Sequence, residues 1–532
     1  MALGPDELRL AHAAMAAMGK RDFQAAKAHA QALLLRNPDD PNANQILGVI
    51  ALEAGDPAAA RPHLERAARA APNQAAIVNT LGVALRRLGE TAAARAAFAR
   101  AGALGLIDGW RNLGNLEELE RHYDASIAAY ERALGLAAND AASHGALALA
   151  YERKHDLARA KRHAETALAG DPRNENARLA LAQVKLREKD FAAIEDVVRP
   201  VTQSSAQTNC ALAWGLIGEA RDRLDDPRGA FAAFTAANRI LLAQHSHLLS
   251  ASHLLYHPDG VERMRRLVES ADVSAWRAPP AARTPVFLVG FPRSGTTLLD
   301  QVLSSHSGIV CIEEREHFAN ALAGIITDRA KLAAVGELPD AAIEAARADY
   351  WDRLAADGVG GEGLIVDKLP LNIVVLPLIR RIFPDAKIIF ALRDPRDVIL
   401  SCYQQRFGMN AAMAQFLQLD TAAAYYDAIM RLMEACRAKL ELDLIDVRYE
   451  DVVADLEGAA RRLCAFLGVG YESQMLAFRE TALKRAIGTP SARQVVQPLY
   501  TRSVERWRRY AEDLAPALPV LAPWAARYRY PA

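Results

Sequence analysis

Residues 285–303 read P-V-F-L-V-G-F-P-R-S-G-T-T-L-L-D-Q-V-L, and this pattern predicts the architecture of the C-terminal half. The apolar run at 285–289 predicts a strand, and the run at 298–303 predicts a helix. Gly290 and Gly295 lie between them, which is the context of a phosphate-binding loop. There, successive backbone N–H groups and the helix N-terminus point at one anion.

The loop lacks the lysine that nucleoside-triphosphate sites use. Such sites carry Lys-Ser or Lys-Thr after the second glycine, where the side chains contact the outer phosphates and Mg²⁺. Here Thr296 and Thr297 follow Gly295, and the cation Arg293 lies inside the loop beside Ser294. The pattern therefore predicts an anion site and argues against ATP with magnesium.

Composition excludes several classes of protein. At 532 residues the chain is too long for one ordinary core, which predicts two or more domains. Lys plus Arg and Asp plus Glu each total 64, so no overall charge attracts nucleic acid or an anionic membrane. The five cysteines are scattered and lack C-x-x-C spacing, which argues against a disulfide framework or a zinc site. Because no signal-like N-terminus and no long uncharged stretch is present, we expect a cytoplasmic protein without a membrane span.

The N-terminal half is alanine-rich and repetitive. Leu47-Gly48 recurs as Leu81-Gly82 and as Leu113-Gly114, at a period of about 34 residues. Small residues that let two helices approach closely recur at fixed places of the units: Ala60, Ala67, Ala94, Ala101, Ser126, Ala133, Ala160 and Ala167. The pattern resembles the tetratricopeptide repeat and predicts an α-solenoid of about six to seven repeats over residues 1–240, with an irregular helical bundle as the alternative. Such a stack has a concave face on which a peptide or protein partner is expected.

After residue 284, short apolar runs alternate with helical patterns. The predicted strands are 286–289, 364–366, 386–392 and 444–447. This alternation predicts a central parallel sheet covered by helices on both faces. The expected chain is thus an α-solenoid, a closing helix and proline-rich linker at 241–284, and a P-loop-type α/β domain at 285–532.

The residues that follow the predicted strands are polar, and several are cations. Lys368 follows one strand, Arg393 and Arg396 follow the next, and Arg448 and Tyr449 follow the last. Ligands of parallel sheets bind beyond the carboxyl ends of the strands. Three strands therefore deliver cations to one edge of the sheet, which predicts a ligand with several anionic groups.

In this half the chain resembles the sulfotransferases that use 3′-phosphoadenosine 5′-phosphosulfate (PAPS), and the tyrosylprotein branch in particular. The family's loop for the 5′-phosphosulfate, P-R-S-G-T-T, matches 292–297, and its 3′-phosphate segment matches Arg393-Asp394-Pro395-Arg396 and Ser401. The other matches, in the family's order, are Glu313-Glu314, Lys368-Leu369-Pro370, Tyr449, Ser491 with Gln494-Val495 and Pro498, and Arg506-Trp507. The resemblance covers about residues 284–530.

The resemblance implies a role for each matched residue. Arg293, Ser294, Gly295, Thr296 and Thr297 would bind the 5′-phosphosulfate. Arg293 and Lys368 would neutralise the charge that builds on the bridging oxygen, and Ser491 would help to align the donor. Arg393 and Ser401 would bind the 3′-phosphate, and Tyr449 and Arg506 would contact the nucleotide. No metal is expected, since a sulfuryl group carries less negative charge than a phosphoryl group, and the product would be 3′,5′-ADP.

The acceptor is expected to be a hydroxyl, which needs a base for its proton. Glu314 is that base by its match to the family, Glu313 is its rival, and His306 ranks below both. The tyrosylprotein branch has an arginine where this chain has Glu316. The reversed charge argues against an acidic tyrosyl peptide and leaves a different peptide, a saccharide or a small alcohol open.

Two other functions stay open on the sequence alone. A P-loop kinase or NTPase is opposed by Thr296 at the lysine position and by the pair Arg393 and Ser401. A catalytically inactive repeat scaffold is opposed by the joint presence of Arg293, Lys368, Glu314 and Ser491.

Overall fold

The computed structural model describes residues 4–360, 363–484 and 503–532. The chain divides into two compact units, Met1–Leu216 and Ile217–Ala532. Ser491, predicted to align the donor, lies outside the described residues, as do Gln494, Val495 and Pro498.

The first unit is built from successive helix pairs. Its helices are α1 Pro5–Gly19, α2 Phe23–Leu34, α3 Pro41–Glu53, α4 Pro57–Ala70, α5 Ala75–Arg87, α6 Thr91–Ala103, α7 Ile107–Leu119, α8 Tyr123–Leu136, α9 Ala141–Arg153, α10 Leu157–Gly170, α11 Glu175–Glu188 and α12 Ile194–Val198, with a 3₁₀ turn at Arg199–Gln203. The next helix, α13 Gln207–Arg223, contains the division, so its residues from Ile217 onward belong to the second unit. Several of them start at an aspartate whose carboxylate accepts a backbone N–H three residues on, as Asp22, Asp40 and Asp156 do. These caps satisfy N–H groups that the helix itself leaves unpaired.

The glycines of the Leu-Gly pairs lie where the two helices of a repeat approach each other closely. A Cβ atom on Gly82 would lie 2.6 Å from the Phe98 ring, and one on Gly114 would lie 2.5 Å from the Tyr130 ring. The small residues predicted at the other fixed places, from Ala60 to Ala167, are fully buried. The predicted repeat is therefore confirmed, because the small residues occupy the helix contacts that require them.

Gly82→Ala is expected to destabilise the first unit by about 1–3 kcal/mol, because the added methyl overlaps the Phe98 ring. Gly135→Ala is the matched control. A Cβ on Gly135 meets no atom within 4 Å, so alanine there is expected to be neutral or slightly stabilising. The melting temperatures of the two variants are compared by circular dichroism. Equal values would contradict the close approach of the helices at Gly82 and Phe98.

The second unit contains a sheet of five parallel strands among its described residues, in the order β2-β3-β1-β4-β5. The strands are β1 Val286–Gly290, β2 Ile309–Glu313, β3 Leu364–Lys368, β4 Lys387–Leu392 and β5 Asp443–Arg448. On β1, Phe287 and Val289 pack into one core and Val286 and Leu288 into the other. The predicted parallel sheet with two covered faces is confirmed, and β2 is an edge strand that the predicted set did not include.

Helices cover this sheet on both faces. They are α14 Pro227–His245, α15 Pro258–Ser270, α16 Thr296–Ser304, α17 His317–Ala321, α18 Ala323–Ile326, α19 Arg329–Ala333, α20 Asp340–Ala356, α21 Leu376–Ile382, α22 Pro395–Gln404, α23 Leu419–Lys439, α24 Tyr449–Ala454, α25 Leu456–Leu467, α26 Phe478–Lys484, α27 Ala511–Leu514 and α28 Leu518–Arg527. Short 3₁₀ segments lie at Ser246–Ser250, Val273–Ala275, Val335–Glu337, Pro370–Val375, Met413–Leu417, Ser473–Ala477 and Arg506–Tyr510. Among the described helices, none combines the length and apolar character that a bilayer crossing requires.

The division between the units lies earlier than residue 240, where the repeats were predicted to end. On α14, Asn238 donates from Nδ2 to the Tyr403 carbonyl at 2.9 Å, so this helix packs on the α/β unit. On α15, within the predicted linker, Val261 and Val268 are fully buried in the core of the same unit. An alanine-rich helix has the same sequence pattern in a repeat as in a domain core. Only the elements that it packs against show which of the two it belongs to.

Candidate active site

The phosphate-binding loop joins β1 to the N-terminus of α16. Gly295 precedes the helix with a φ of 96°, which is the left-handed region that favours glycine. A Cβ atom there would lie 2.8 Å from the Tyr449 ring, so the glycine also allows Tyr449 to pack against the loop. Ser294, Thr296 and Thr297 are each buried beside the backbone N–H groups at this end of the helix. The loop therefore offers N–H and O–H donors to one anion.

Arg293 links the loop to the segment predicted for the 3′-phosphate. It has a φ of 71°, which costs free energy for a residue with a Cβ and is typical of functional loops. Its Nε donates to Ser401 Oγ at 2.9 Å, across 108 residues of sequence. Arg393 donates from Nη1 to the Arg293 carbonyl at 3.1 Å. The two predicted anion-binding segments thus form one continuous cationic site.

Arg393 is buried and held on several sides. Its guanidinium carbon lies 4.9 Å from the centre of the Tyr449 ring, and its Nη2 donates to the Ser503 carbonyl at 2.7 Å. Tyr449 and Ser503 are themselves joined through their hydroxyls at 2.8 Å. The buried Nε of Arg393 has no hydrogen-bond acceptor among the described residues. Burying an N–H group without an acceptor costs free energy. An oxygen atom of an anionic ligand would supply that acceptor.

Lys368 lies at the carboxyl end of β3 with no exposed side-chain surface. Its Nζ is 3.0 Å from Glu314 Oε1 and 3.6 Å from Glu313 Oε1. The register explains this contact, because Glu313 on β2 pairs with Lys368 and Leu288 on β1 pairs with it from the other side. The ammonium group and both candidate bases therefore lie at the same edge of the sheet as the loop after β1.

The backbone turns sharply at Glu314. Its N–H still donates to the Lys368 carbonyl at 2.8 Å, but its φ of 46° ends the strand. The turn leaves the Glu314 side chain about one-third exposed, at 33 %, whereas Glu313 is 14 % exposed. Of the two carboxylates, Glu314 is the one more accessible to an incoming acceptor.

Asp367, which precedes Lys368, is a fully buried carboxyl for which the sequence predicted no role. It accepts hydrogen bonds from the Tyr350 hydroxyl at 3.1 Å and from Asn372 Nδ2 at 3.3 Å. Burial raises the pKa of Asp367 from its ordinary value near 3.8 to about 7. This polar cluster holds β3 directly behind Lys368.

The raised pKa of Asp367 predicts how stability changes with pH. Between about pH 4 and pH 7 the folded chain keeps a proton on Asp367 that the unfolded chain has released, so stability falls as pH rises through that window. Asp367→Asn is expected to flatten this fall in melting temperature, and Asp420→Asn, an exposed site in the first turn of α23, serves as the control. An unchanged pH profile in the Asp367 variant would contradict the assignment.

Arg506 is placed differently from the other predicted donor-binding residues. Its Nη2 pairs with Asp222 at 2.9 Å, and its guanidinium lies over the Tyr510 ring at 5.7 Å. The contacts described for Arg506 are thus with α13 and its own segment. Its neighbour Trp507 donates its backbone N–H to Asp397 Oδ1 at 2.8 Å. A nucleotide contact from Arg506 therefore stays a prediction.

Acidic residues at the start of α22 fix the conformation of the segment predicted for the 3′-phosphate. Asp394 caps the helix through the Arg396 N–H at 2.9 Å and binds the Arg396 guanidinium with both oxygens. The Asp394 N–H donates in turn to Glu450 Oε1 at 3.0 Å, a contact that the sequence pattern did not reveal. Asp397 anchors Trp507. These carboxylates act as caps and anchors of the segment.

Two further candidates occupy distinct settings. Both ring nitrogens of His306 form hydrogen bonds with backbone groups: Nε2 lies 2.7 Å from the Gly470 carbonyl, and Nδ1 lies 2.9 Å from the Gly308 N–H. That geometry supports ranking it below Glu314. Glu316 follows Glu314 by two residues and directly precedes α17, and partial desolvation raises the pKa of its carboxyl. Among the described residues, no group of three or more His, Cys, Asp and Glu side chains is arranged to hold a metal ion.

Comparison with known proteins agrees with this division of the chain. Residues 285–473 match the sulfotransferase family, and residues 13–75, 47–106 and 107–140 match the tetratricopeptide repeat. The chain is 29% identical over 288 residues to an uncharacterized protein of Aquifex aeolicus, covering 52% of this chain but only 36% of that one. It is 25% identical to protein-tyrosine sulfotransferase 1 of Danio rerio, over 46% of this chain and 72% of that one. It is 24% identical to protein-tyrosine sulfotransferase A of Caenorhabditis elegans, over 46% of this chain and 67% of that one.

Solved structures that match include the following two. The crystal structure of a tetratricopeptide repeat protein from Parabacteroides merdae matches with a TM-score of 0.36 at 16% identity, covering 44% of this chain and 94% of that chain. A crystal structure of MamA matches with a TM-score of 0.29 at 24% identity, covering 32% of this chain and 94% of that chain. The motifs and the parallel sheet of the α/β unit agree with the family match: residues 285–473 are similar to the sulfotransferase family, and the residues before them are similar to tetratricopeptide repeats.

Proposed function

We propose that this chain transfers a sulfuryl group from PAPS to a hydroxyl acceptor. The observation that carries the proposal is the junction of Arg293, Ser401 and Arg393, which joins the predicted phosphate-binding loop to the segment predicted for a second anion. PAPS is a ligand with a phosphosulfate at its 5′ position and a phosphate at its 3′ position, so it needs two such sites. When bound, it supplies the activated sulfuryl group.

The residues present fit this donor. The loop from Arg293 to Thr297 would hold the 5′-phosphosulfate with backbone N–H groups and hydroxyls. Arg393 and Ser401 would hold the 3′-phosphate, and the buried, unfilled Nε of Arg393 is a donor that such a group satisfies. Tyr449 lies against both the loop glycine and the Arg393 guanidinium, and from there its ring would contact the nucleotide.

Charge stabilisation falls to Arg293 and Lys368. Sulfuryl transfer places the moving group between an attacking and a leaving oxygen in line, so catalysis depends on positioning and on charges that meet the transition state. The fully buried Lys368 ammonium and the Arg293 guanidinium would neutralise charge on the leaving bridging oxygen. By its match to the family, Ser491 would align the same oxygen.

Glu314 would accept the proton of the attacking hydroxyl at a carboxylate oxygen. Its contact with Lys368 keeps the carboxylate beside the reacting group, and its exposure lets an acceptor reach it. Glu313 remains the rival base, since it also lies near the ammonium.

The acceptor is proposed to be a hydroxyl outside acidic sequence. The two named relatives are protein-tyrosine sulfotransferases, which supports a hydroxyl acceptor, but the carboxylate of Glu316 near the base disfavours an acidic peptide. A peptide of another type, a saccharide or a small alcohol fits equally. The repeats of the first unit would recruit a partner or the acceptor itself.

Binding of the donor product tests the proposal without knowledge of the acceptor. Without Mg²⁺, 3′,5′-ADP at about 100 times its Kd is expected to raise the melting temperature by about 5 °C. Arg393→Gln is expected to lose this shift, whereas Arg431→Gln, a solvent-exposed arginine paired with Asp427 on α23, is expected to keep it. A shift with ATP and Mg²⁺ alone would favour a kinase or NTPase, and no shift with either ligand would favour an inactive scaffold.

A further inference from the structure

The first unit contains a polar pocket that sulfuryl transfer does not use. It has a volume of about 430 Å³ and lies among α8, α9 and α10. Its lining includes the ionisable and aromatic side chains of Glu131, His144, Tyr151, Arg159, Arg162 and His163. Pockets of about 300–1,000 Å³ hold organic ligands or parts of a peptide, and an inorganic anion would leave most of this space unfilled.

The hydrogen bonds of His144 determine which nitrogens carry protons. Its Nε2 lies 3.0 Å from the Ala138 carbonyl, which can only accept, so Nε2 carries the hydrogen. Neutral His144 then presents the lone pair of Nδ1, which lies 2.8 Å from His163 Nδ1. His163 must therefore donate from Nδ1, and its remaining nitrogen is Nε2.

His163 can gain a proton without breaking this pair. Its ring stacks on Tyr151, with centroids 5.5 Å apart and planes at 14°. A proton added at Nε2 leaves the Nδ1–H···Nδ1 bond intact and turns a lone pair into a charged donor. Burial, followed by His144 and the two arginines, lowers the pKa of His163, and Glu131 on α8 opposes them. In the free pocket these charges therefore favour the neutral ring, and a bound anion would reverse that preference.

The charges of the pocket favour an anionic ligand. Arg159 and Arg162 are both exposed on α10, and Arg159 lies 5.4 Å from the centre of the Tyr151 ring. Asp156, one turn earlier, is 3.4 Å from Arg159. Glu131, the carboxylate among the lining residues, accepts the Tyr151 hydroxyl at 3.0 Å. The two carboxylates are thus each engaged within the chain, whereas Arg162 and a protonatable His163 stay available to an anion.

We propose that this pocket binds a carboxylate side chain of an acidic peptide segment and takes up a proton on His163 Nε2 as it does so. Arg162 and protonated His163 would donate to the carboxylate, and the remaining volume would hold the adjoining peptide. Binding should therefore tighten as pH falls, and the proton uptake makes this site distinguishable from a simple cationic surface.

Calorimetric titration of the full chain with a short polyglutamate peptide tests the proposal. The Kd is expected to be about tenfold lower near pH 6 than near pH 8, with net proton uptake revealed by two buffers of different ionisation enthalpy. Polyglutamine is expected not to bind. Equal binding of both peptides, or full competition by inorganic phosphate at an equal concentration, would overturn an acidic-peptide site.

Variants assign the proton to His163. His163→Gln is expected to abolish proton uptake and the pH dependence, while the arginines retain weak binding. Arg162→Gln, at an exposed position, is expected to weaken binding at both pH values, and His12→Gln, exposed on α1, is the control and should change neither. Proton uptake that persists in His163→Gln would refute the mechanism. No step here depends on PAPS, so failure of this site and failure of the proposed transfer reaction are separate results.

Discussion

Lys368→Met is expected to lower the rate of sulfate transfer by about 10²–10³-fold. The ammonium group has no exposed surface and lies at the carboxyl end of β3, where it would meet charge that develops only as the bond to sulfur breaks. The loss should therefore appear in the maximal rate at saturating PAPS rather than in the affinity for the donor. The measurement is the initial rate at which labelled sulfate is transferred from PAPS to acceptors in a cell extract.

The control for Lys368 is Lys387→Met. Lys387 is also paired with a carboxylate, Asp443 at 2.9 Å, but it lies at the amino end of β4, away from the loop. Because removing Lys368 leaves Glu313 and Glu314 uncompensated, some loss of stability is expected as well. A retained shift with 3′,5′-ADP identifies folded protein. A full transfer rate in folded Lys368→Met would remove this residue from the mechanism.

Glu314→Gln is expected to lower the transfer rate by about 10²–10⁴-fold while leaving 3′,5′-ADP binding intact. Glutamine preserves the shape of the side chain but cannot accept the proton of the attacking hydroxyl. The same transfer assay measures the loss, and Glu344→Gln, an exposed carboxylate on α20 paired with Arg347, is the matched control.

Glu313→Gln separates the two candidate bases. If Glu314 is the base, the Glu313 variant should lose less activity, because its carboxylate is less exposed and farther from Lys368. A larger loss in the Glu313 variant would assign the base to Glu313. Equal rates in wild type and the Glu314 variant would exclude Glu314.

The candidate residues of the donor site could be named from the sequence because they lie in local patterns. The loop from Gly290 to Thr297 follows one strand and opens one helix, so its geometry depends on neighbours in the chain. The repeats were predictable for the same reason, since a period of small residues marks each helix contact. Edge strand β2 was missed because five residues that begin only a few positions after α16 carry too little periodicity to separate a strand from a helix.

Contacts between distant segments were decided only by the folded chain. Arg293 meets Ser401 across 108 residues, and Lys368 meets Glu314 across 54. The sequence named these residues, but the order and register of the strands bring their side chains together. Tertiary packing also paired Arg506 with Asp222 and placed α14 in the α/β unit. The local motif thus determines which candidate anion-binding groups exist, whereas the sheet determines which of them lie together, because strand pairing acts between segments that no local pattern connects.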